Sequence, residues 1–99
     1  MDKAMKEIME KELQFLRENI DRTDEKIIRL IGERFKYTKQ IGLCKAKYGL
    51  PIRNAKREEE LFARMGKLSK EEGLDDKMIK KIWKMIVRNV CMIHKSLRA

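Results

Sequence analysis

Lys47–Leu61 reads KYGLPIRNAKREEEL. It holds the only proline of the 99-residue chain, flanked by Gly49 and Asn54, and it gathers Arg53, Arg57 and Glu58 beside that break. Gly49 suits a left-handed helix C-terminus and Pro51 prevents continuation, so any helix entering this stretch must end here. Asn54 then offers an N-cap for a new helix beginning at Ala55. A solvated polar linker is the simplest account of the charges. A binding corner is the alternative.

Working back from the break, residues 3–47 contain no proline. Apolar residues recur there at Leu13, Leu16, Ile20, Ile27, Leu30, Ile31, Thr38 and Ile41, with spacings of three, four or seven. That periodicity predicts one helix over about residues 3–47. Gly32 and Gly42 each cost about 1 kcal/mol inside it and allow a kink, but neither sits in a cluster of turn residues. Working forward, the spacing predicts a second helix over about 55–72, with Leu61, Phe62, Met65 and Leu68 as its apolar stripe and Gly73 as its stop. Asp75 caps a third over about 76–97, with Leu74 and Ile79 placed as a hydrophobic staple. The expectation is a single all-α domain, residues 1–99, of one very long and two shorter helices.

Length turns this into an argument about assembly. Forty-five helical residues rising 1.5 Å each make a rod of roughly 65 Å, about twice the diameter of a compact domain of this size. Two shorter helices cannot cover its stripe, so a second copy is expected to do so in an interlocked homodimer. An elongated coiled coil is the structural alternative. Polar Asp24 and basic Arg34 interrupt its seam.

Composition supports a helical reading and narrows the partners. Charged residues make up 41% of the chain and hydrophobic ones 42%, while glycine is scarce. Twenty-five basic against sixteen acidic residues leave +9, so an anionic partner is expected: nucleic acid, an acidic membrane surface or a small anion. No apolar run approaches the roughly 20 residues a membrane span needs, and the N-terminal MDKAMKEIME lacks a signal-peptide core. Cys44 and Cys91 match no metal or disulfide spacing and come with one histidine. They are expected to be buried thiols in a reducing cytoplasm, with no metal and no cofactor.

The informative charges lie on the core side. Lys77, Lys80, Lys81 and Lys84 form the outer face of the third helix. Arg34 and Lys45, eleven residues apart, fall about 20° apart around the first helix and about 16 Å apart along it, close enough to hold a small anion between them. Arg17 is about 25 Å from Arg34 along the helix and about 100° away around it, so within one chain it cannot join that site. In a dimer it can serve the partner's. Glu58 lies in the first turn of the second helix on its apolar side, where the helix dipole alone can account for a carboxylate. His94 continues the row Ile86, Val90 and faces inward, as a satisfied core histidine or as a site residue.

The run LRENIDRTDEKIIRLIGERFKYTKQIGLCKAKYGLPIRNAKREEEL (16–61) resembles the first two helices of the all-helical class of chorismate mutases. The likeness covers nearly the whole chain from Leu16 on. It rests on Arg17 after a leucine, the run ending in Arg34, the IG-x-x-K step ending in Lys45, and the PIRNAKRE corner. It implies an intertwined three-helix dimer with two sites, each built from both subunits, and the rearrangement of chorismate to prephenate. Arg17 of one chain and Arg34 of the other would bind the substrate's two carboxylates, and Lys45 a carboxylate and the ether oxygen. Arg57 would support the charge balance. Glu58 and the backbone near Arg53 and Asn54 would hold the ring hydroxyl. An intramolecular rearrangement needs no nucleophile, metal or cofactor, only a fixed conformer and donors where negative charge develops.

The chain departs from the family pattern at three positions. His94 stands where glutamine or glutamate is usual; as a neutral ring it is expected to give its one N–H to the ether oxygen. Val90 stands where serine often helps a carboxylate, and Asn54 replaces the commoner aspartate. The same scaffold also serves isochorismate-pyruvate lyases. A reading of another class is a basic helical dimer on nucleic acid, in which surface lysines matter and Arg34 does not.

Overall fold

The computed structural model describes residues 1–98; Ala99, the last residue of the expected domain, lies outside them. The described residues form three helices and no strand: α1 (Lys3–Lys47), α2 (Ala55–Glu71) and α3 (Asp76–Ser96). Local chemistry sets each boundary. At the start of α1 the Met5 amide donates to the Asp2 carboxylate at 2.8 Å, satisfying one of the orphan N–H groups of the first turn. Its end is the expected glycine stop: Gly49 takes φ 64°, and the Leu50 amide reaches back to the Lys45 carbonyl at 2.9 Å. Asn54 caps α2 by accepting from the Arg57 amide at 3.1 Å. Gly73, at φ 67°, closes that helix in the same way, with the Leu74 amide on the Ser69 carbonyl at 2.8 Å. Asp75 caps α3 by accepting from the Lys77 amide. The second and third helices each end one residue before the expected limit, at the C-caps Glu72 and Leu97. Neither Gly32 nor Gly42 interrupts α1.

The described chain divides into two units, Met1–Phe35 and the segment from Lys36 onward, with α1 contributing to both. In the first, no side chain is buried, and only Met9, Ile31, Arg34 and Phe35 are half-buried. In the second, α2 packs on α3. Leu61 is its one buried hydrophobic side chain, and half-buried apolar residues accompany it on both helices: Phe62 and Met65 on α2, and Trp83, Ile86, Val87, Val90 and Ile93 on α3. Of the staple pair, Ile79 is half-buried and Leu74 exposed.

Both thiols were expected inside, and Cys44 is not: it is exposed, while Cys91 is half-buried. The reason is rotational. Two residues after buried Gly42, Cys44 lies about 200° around α1, on the opposite side of the helix. No helix among the described residues is long and apolar enough to cross a membrane.

Candidate active site at the corner

The corner between α1 and α2 is tied down by two cations. The Lys45 ammonium donates to the Ile52 carbonyl at 2.8 Å, and the Arg98 guanidinium donates to the Leu50 carbonyl. A backbone turn has no ladder to satisfy its carbonyls, so these side chains supply the missing donors. Lys45 thereby becomes half-buried and fixed in direction. Its ammonium has three N–H donors, and the bond to Ile52 uses one.

Arg53 and Glu58 form a two-pronged pair across the start of α2. Nη2 lies 2.6 Å from Oε1 and Nε 3.2 Å from Oε2. Glu58, held also by the N-terminal end of its helix, is mostly covered, with a side chain 20% exposed against 71% for Arg53. The hydrogen bond and charge of Glu58 hold the Arg53 guanidinium above its already high ordinary range. This arginine stays cationic wherever the protein is folded.

Beside this pair a groove of about 470 Å³ opens between the corner, α2 and α3. Its apolar wall comes from Ile52, Phe62 and Val87, with Cys91 and Met92; its charged rim is Arg53, Glu58, Lys84, Arg88 and Lys95. Four cations face one carboxylate, so the groove suits an anion with an apolar body. Lys84, expected as part of an outer solvated face, belongs to this rim. Arg88, Lys95 and the corner-holding Arg98 were not singled out from the sequence. The signal was present for the first two, because residues 84, 88, 91 and 95 follow helical spacing beside Val87.

The other expected site residues stand as follows. Arg57 turns to Glu60, 3.8 Å away and exposed, rather than to the groove rim. The Asn54 side chain is engaged as the cap of α2. Val90 is half-buried on α3. His94, at 3% exposure, donates from Nε2 to the Thr38 carbonyl at 2.7 Å, so the N–H expected for a ligand goes to the backbone of α1. It lies against Gly42, where an added Cβ would stand 2.5 Å from His94 Cδ2. Lys45, Arg53, Asn54, Arg57, Glu58, Val90 and His94 all belong to the segment from Lys36 onward, and of these Arg53 and Glu58 line the groove. Arg17, exposed, and Arg34, half-buried, belong to the unit Met1–Phe35. Among the described residues no group of three or more histidine, cysteine, aspartate or glutamate side chains could hold a metal ion.

Comparison with known proteins gives this arrangement a family. The chain is 33% identical over 81 residues to a chorismate mutase of Methanocaldococcus jannaschii, which covers 82% of each protein. It is 50% identical over 60 residues to a bifunctional chorismate mutase/prephenate dehydratase of Aquifex aeolicus, covering 61% of this chain but 17% of that one. It is 31% identical over 82 residues to the bifunctional protein of the same description from Escherichia coli K12, covering 83% of this chain and 21% of the relative. The chain thus spans about a fifth of the length of these bifunctional relatives. Residues 16–95, from the leucine before Arg17 to the lysine after His94, match the family described as chorismate mutase type II, and to that family the chain belongs.

Proposed function

We propose that the protein is a chorismate mutase, which rearranges chorismate to prephenate at a site built around Lys45 and the Pro51–Glu58 corner. The observation that carries this reading is the match over four fifths of both chains to a protein named as a chorismate mutase. Supporting it, Lys45 and Arg53 are cations fixed in direction by the Ile52 carbonyl and Glu58. In the rearrangement the ether C–O bond breaks as a C–C bond forms within one molecule, and the ether oxygen gains negative charge on the way. Lys45, already aimed by Ile52, has N–H donors to spare for that oxygen. A donor set in place beforehand stabilises the developing charge without reorganising, which typically contributes about 10²-fold to 10³-fold in rate. Arg17, Arg34 and Lys45 bind the two carboxylates and so hold the reactive conformer, while Glu58 and the backbone at Arg53 and Asn54 take the ring hydroxyl. Glu58 can accept it while bound to Arg53, because a carboxylate has about four acceptor positions and the arginine uses two.

The site is shared in this reading. A second copy supplies Arg17 and covers the apolar stripe of α1, giving an interlocked dimer. Supporting it, Leu13, Leu16, Ile20, Ile27, Leu30 and Ile41 are between 38% and 63% exposed in the single chain. Covering six such half-exposed side chains is worth on the order of 5–10 kcal/mol per chain, comparable with the whole stability of a small domain.

The test is a chorismate-depletion assay with the product identified. Prephenate formation is expected. Pyruvate released from isochorismate, with no prephenate from chorismate, would move the protein to the lyase activity, and consumption of neither substrate would remove the reading.

A further inference from the structure

Residues 1–15 lie ahead of the stretch that matches the family, yet α1 runs unbroken from Lys3 through them. They carry an apolar strip of their own. At about 100° per residue, Met5, Met9, Glu12 and Leu16 fall within about 60° of one another around the helix, so the stripe of the later turns continues to the start of α1. Met5 is 58% exposed, and Ile8 and Phe15 beside the strip are exposed as well, so the chain does not cover this segment itself. Glu12 is the anomaly on the strip: an exposed carboxylate among apolar neighbours, with no ion pair among the described residues.

The groove beside the Arg53–Glu58 pair presents the complement. Lys84, Arg88 and Lys95 on its rim fall within about 40° around α3 and span about 16 Å along it. All three are exposed, and none makes an ion pair among the described residues. Val87, Cys91 and Met92 give the groove an apolar wall between them. Residues 77–98 hold seven lysines and arginines and no carboxylate, whereas residues 7–12 hold three carboxylates and one lysine. The two surfaces therefore match in polarity and are opposite in sign. Packing residues 3–15 against the same residues of another copy matches less well. Glu12 would enter an apolar seam, while Lys3, Lys6 and Lys11 lie off the strip, and a charge buried without a partner is costly.

We infer that residues 3–15 of one copy seat in the groove of a second, with Met5 and Met9 against the wall at Val87, Cys91 and Met92, and Glu12 among the rim cations Lys84, Arg88 and Lys95. The seat rests on the homodimer of the proposed function and extends it to turns of α1 that precede both the stripe from Leu13 and the family match. The anion with an apolar body that the groove suits is then this helix. Docked there, it shields the Arg53–Glu58 pair that also borders the proposed site.

Cysteine cross-linking of full-length chains tests the seat. One chain carries Met9→Cys, Cys44→Ser and Cys91→Ser; the other carries Cys44→Ser alone and keeps Cys91. Refolded together and treated with a short bis-maleimide, they should give a covalent dimer in which peptide mapping joins position 9 to Cys91. A product joined only through position 9 of both chains places the two segments on each other and overturns the docking, as does a proven heterodimer with no cross-link. Should the Met9→Cys chain lose its helical circular dichroism, Met5→Cys in its place decides by the same outcomes. Charge reversal gives a second readout. Glu12→Arg should raise the dimer dissociation constant about tenfold, and Arg88→Glu added to the same chain should recover part of that loss. An unchanged constant for Glu12→Arg, or losses that simply add, overturns the pairing of Glu12 with the rim. A monomer that still converts chorismate to prephenate removes the dimer and the docking but leaves the mutase. An active dimer without the link from position 9 to Cys91 removes the docking alone.

Discussion

Asn54 sits where two requirements meet. Its side chain must accept from the Arg57 amide to start α2, and its backbone lies in the turn that carries Arg53. Asn54→Ala is expected to lose the cap at a cost of about 1 kcal/mol in urea denaturation. Asn54→Asp keeps the acceptor and adds a charge favoured by the helix dipole, so its stability should equal or exceed wild type. An alanine variant as stable as wild type would show that the cap contributes nothing. The neighbouring Arg53–Glu58 pair behaves differently. Its guanidinium is pushed upward from an already high range, so the arginine's charge is present below that range and is lost only as pH rises through it. Salt, not pH, is what weakens so exposed a cation within the working range.

At the scale of the helix, the two glycines of α1 make opposite demands. Nothing lies within 4 Å of a Cβ built at Gly32, whereas one at Gly42 would meet His94 and Leu97 at 2.5 and 2.8 Å. Gly32→Ala should stabilise the fold by up to about 1 kcal/mol through helix propensity. Gly42→Ala gains the same propensity but must force the packed ring and leucine aside, so a net loss of about 1–2 kcal/mol is expected. Equal effects of the two changes on the urea midpoint would rule out the close approach at Gly42. The same pair shows what could be read in advance. Helix ends were legible because Gly49, Asn54, Gly73 and Asp75 act on backbone within a few residues. The different roles of Gly32 and Gly42 were not, since the atoms that distinguish them stand more than 50 positions away. Lys45 was legible as an inward cation, but its tie to Ile52 was not, because a carbonyl carries no residue identity. The Asp2 cap was legible and overlooked: an acceptor residue directly before a long helical pattern is the usual start signal.

At the scale of the whole molecule, the apolar stripe of α1 is exposed in the single chain. If a second copy covers it, dilution should unfold the protein as it separates the subunits. Light scattering together with circular dichroism should then show no folded 11.9 kDa monomer at any concentration. A helical monomer that persists through micromolar dilution would refute the interlocked dimer. Shared sites make a sharper demand. Arg17→Ala and Lys45→Ala should each nearly abolish turnover, yet the two variants unfolded and refolded together should regain it. In the mixed dimer one site receives both intact residues and the other lacks both. Proven heterodimers without recovered activity would place each site within a single chain.

The tie between Lys45 and Ile52 also makes the two turns unequal as places to lengthen the chain. Between Leu74 and Asp75 the turn has closed α2 and not yet begun α3, and it carries none of the proposed site residues. Four added glycine and serine residues there roughly double the loop and cost only about 0.6 kcal/mol of closure entropy. The same four residues between Leu50 and Pro51 would free Ile52 from the Lys45 ammonium and break the register of the corner with the Leu50 carbonyl that Arg98 holds. A reporter peptide or tether grafted at the first turn should leave the fold and its turnover intact, and one grafted at the second should leave a helical protein whose lysine no longer points anywhere in particular.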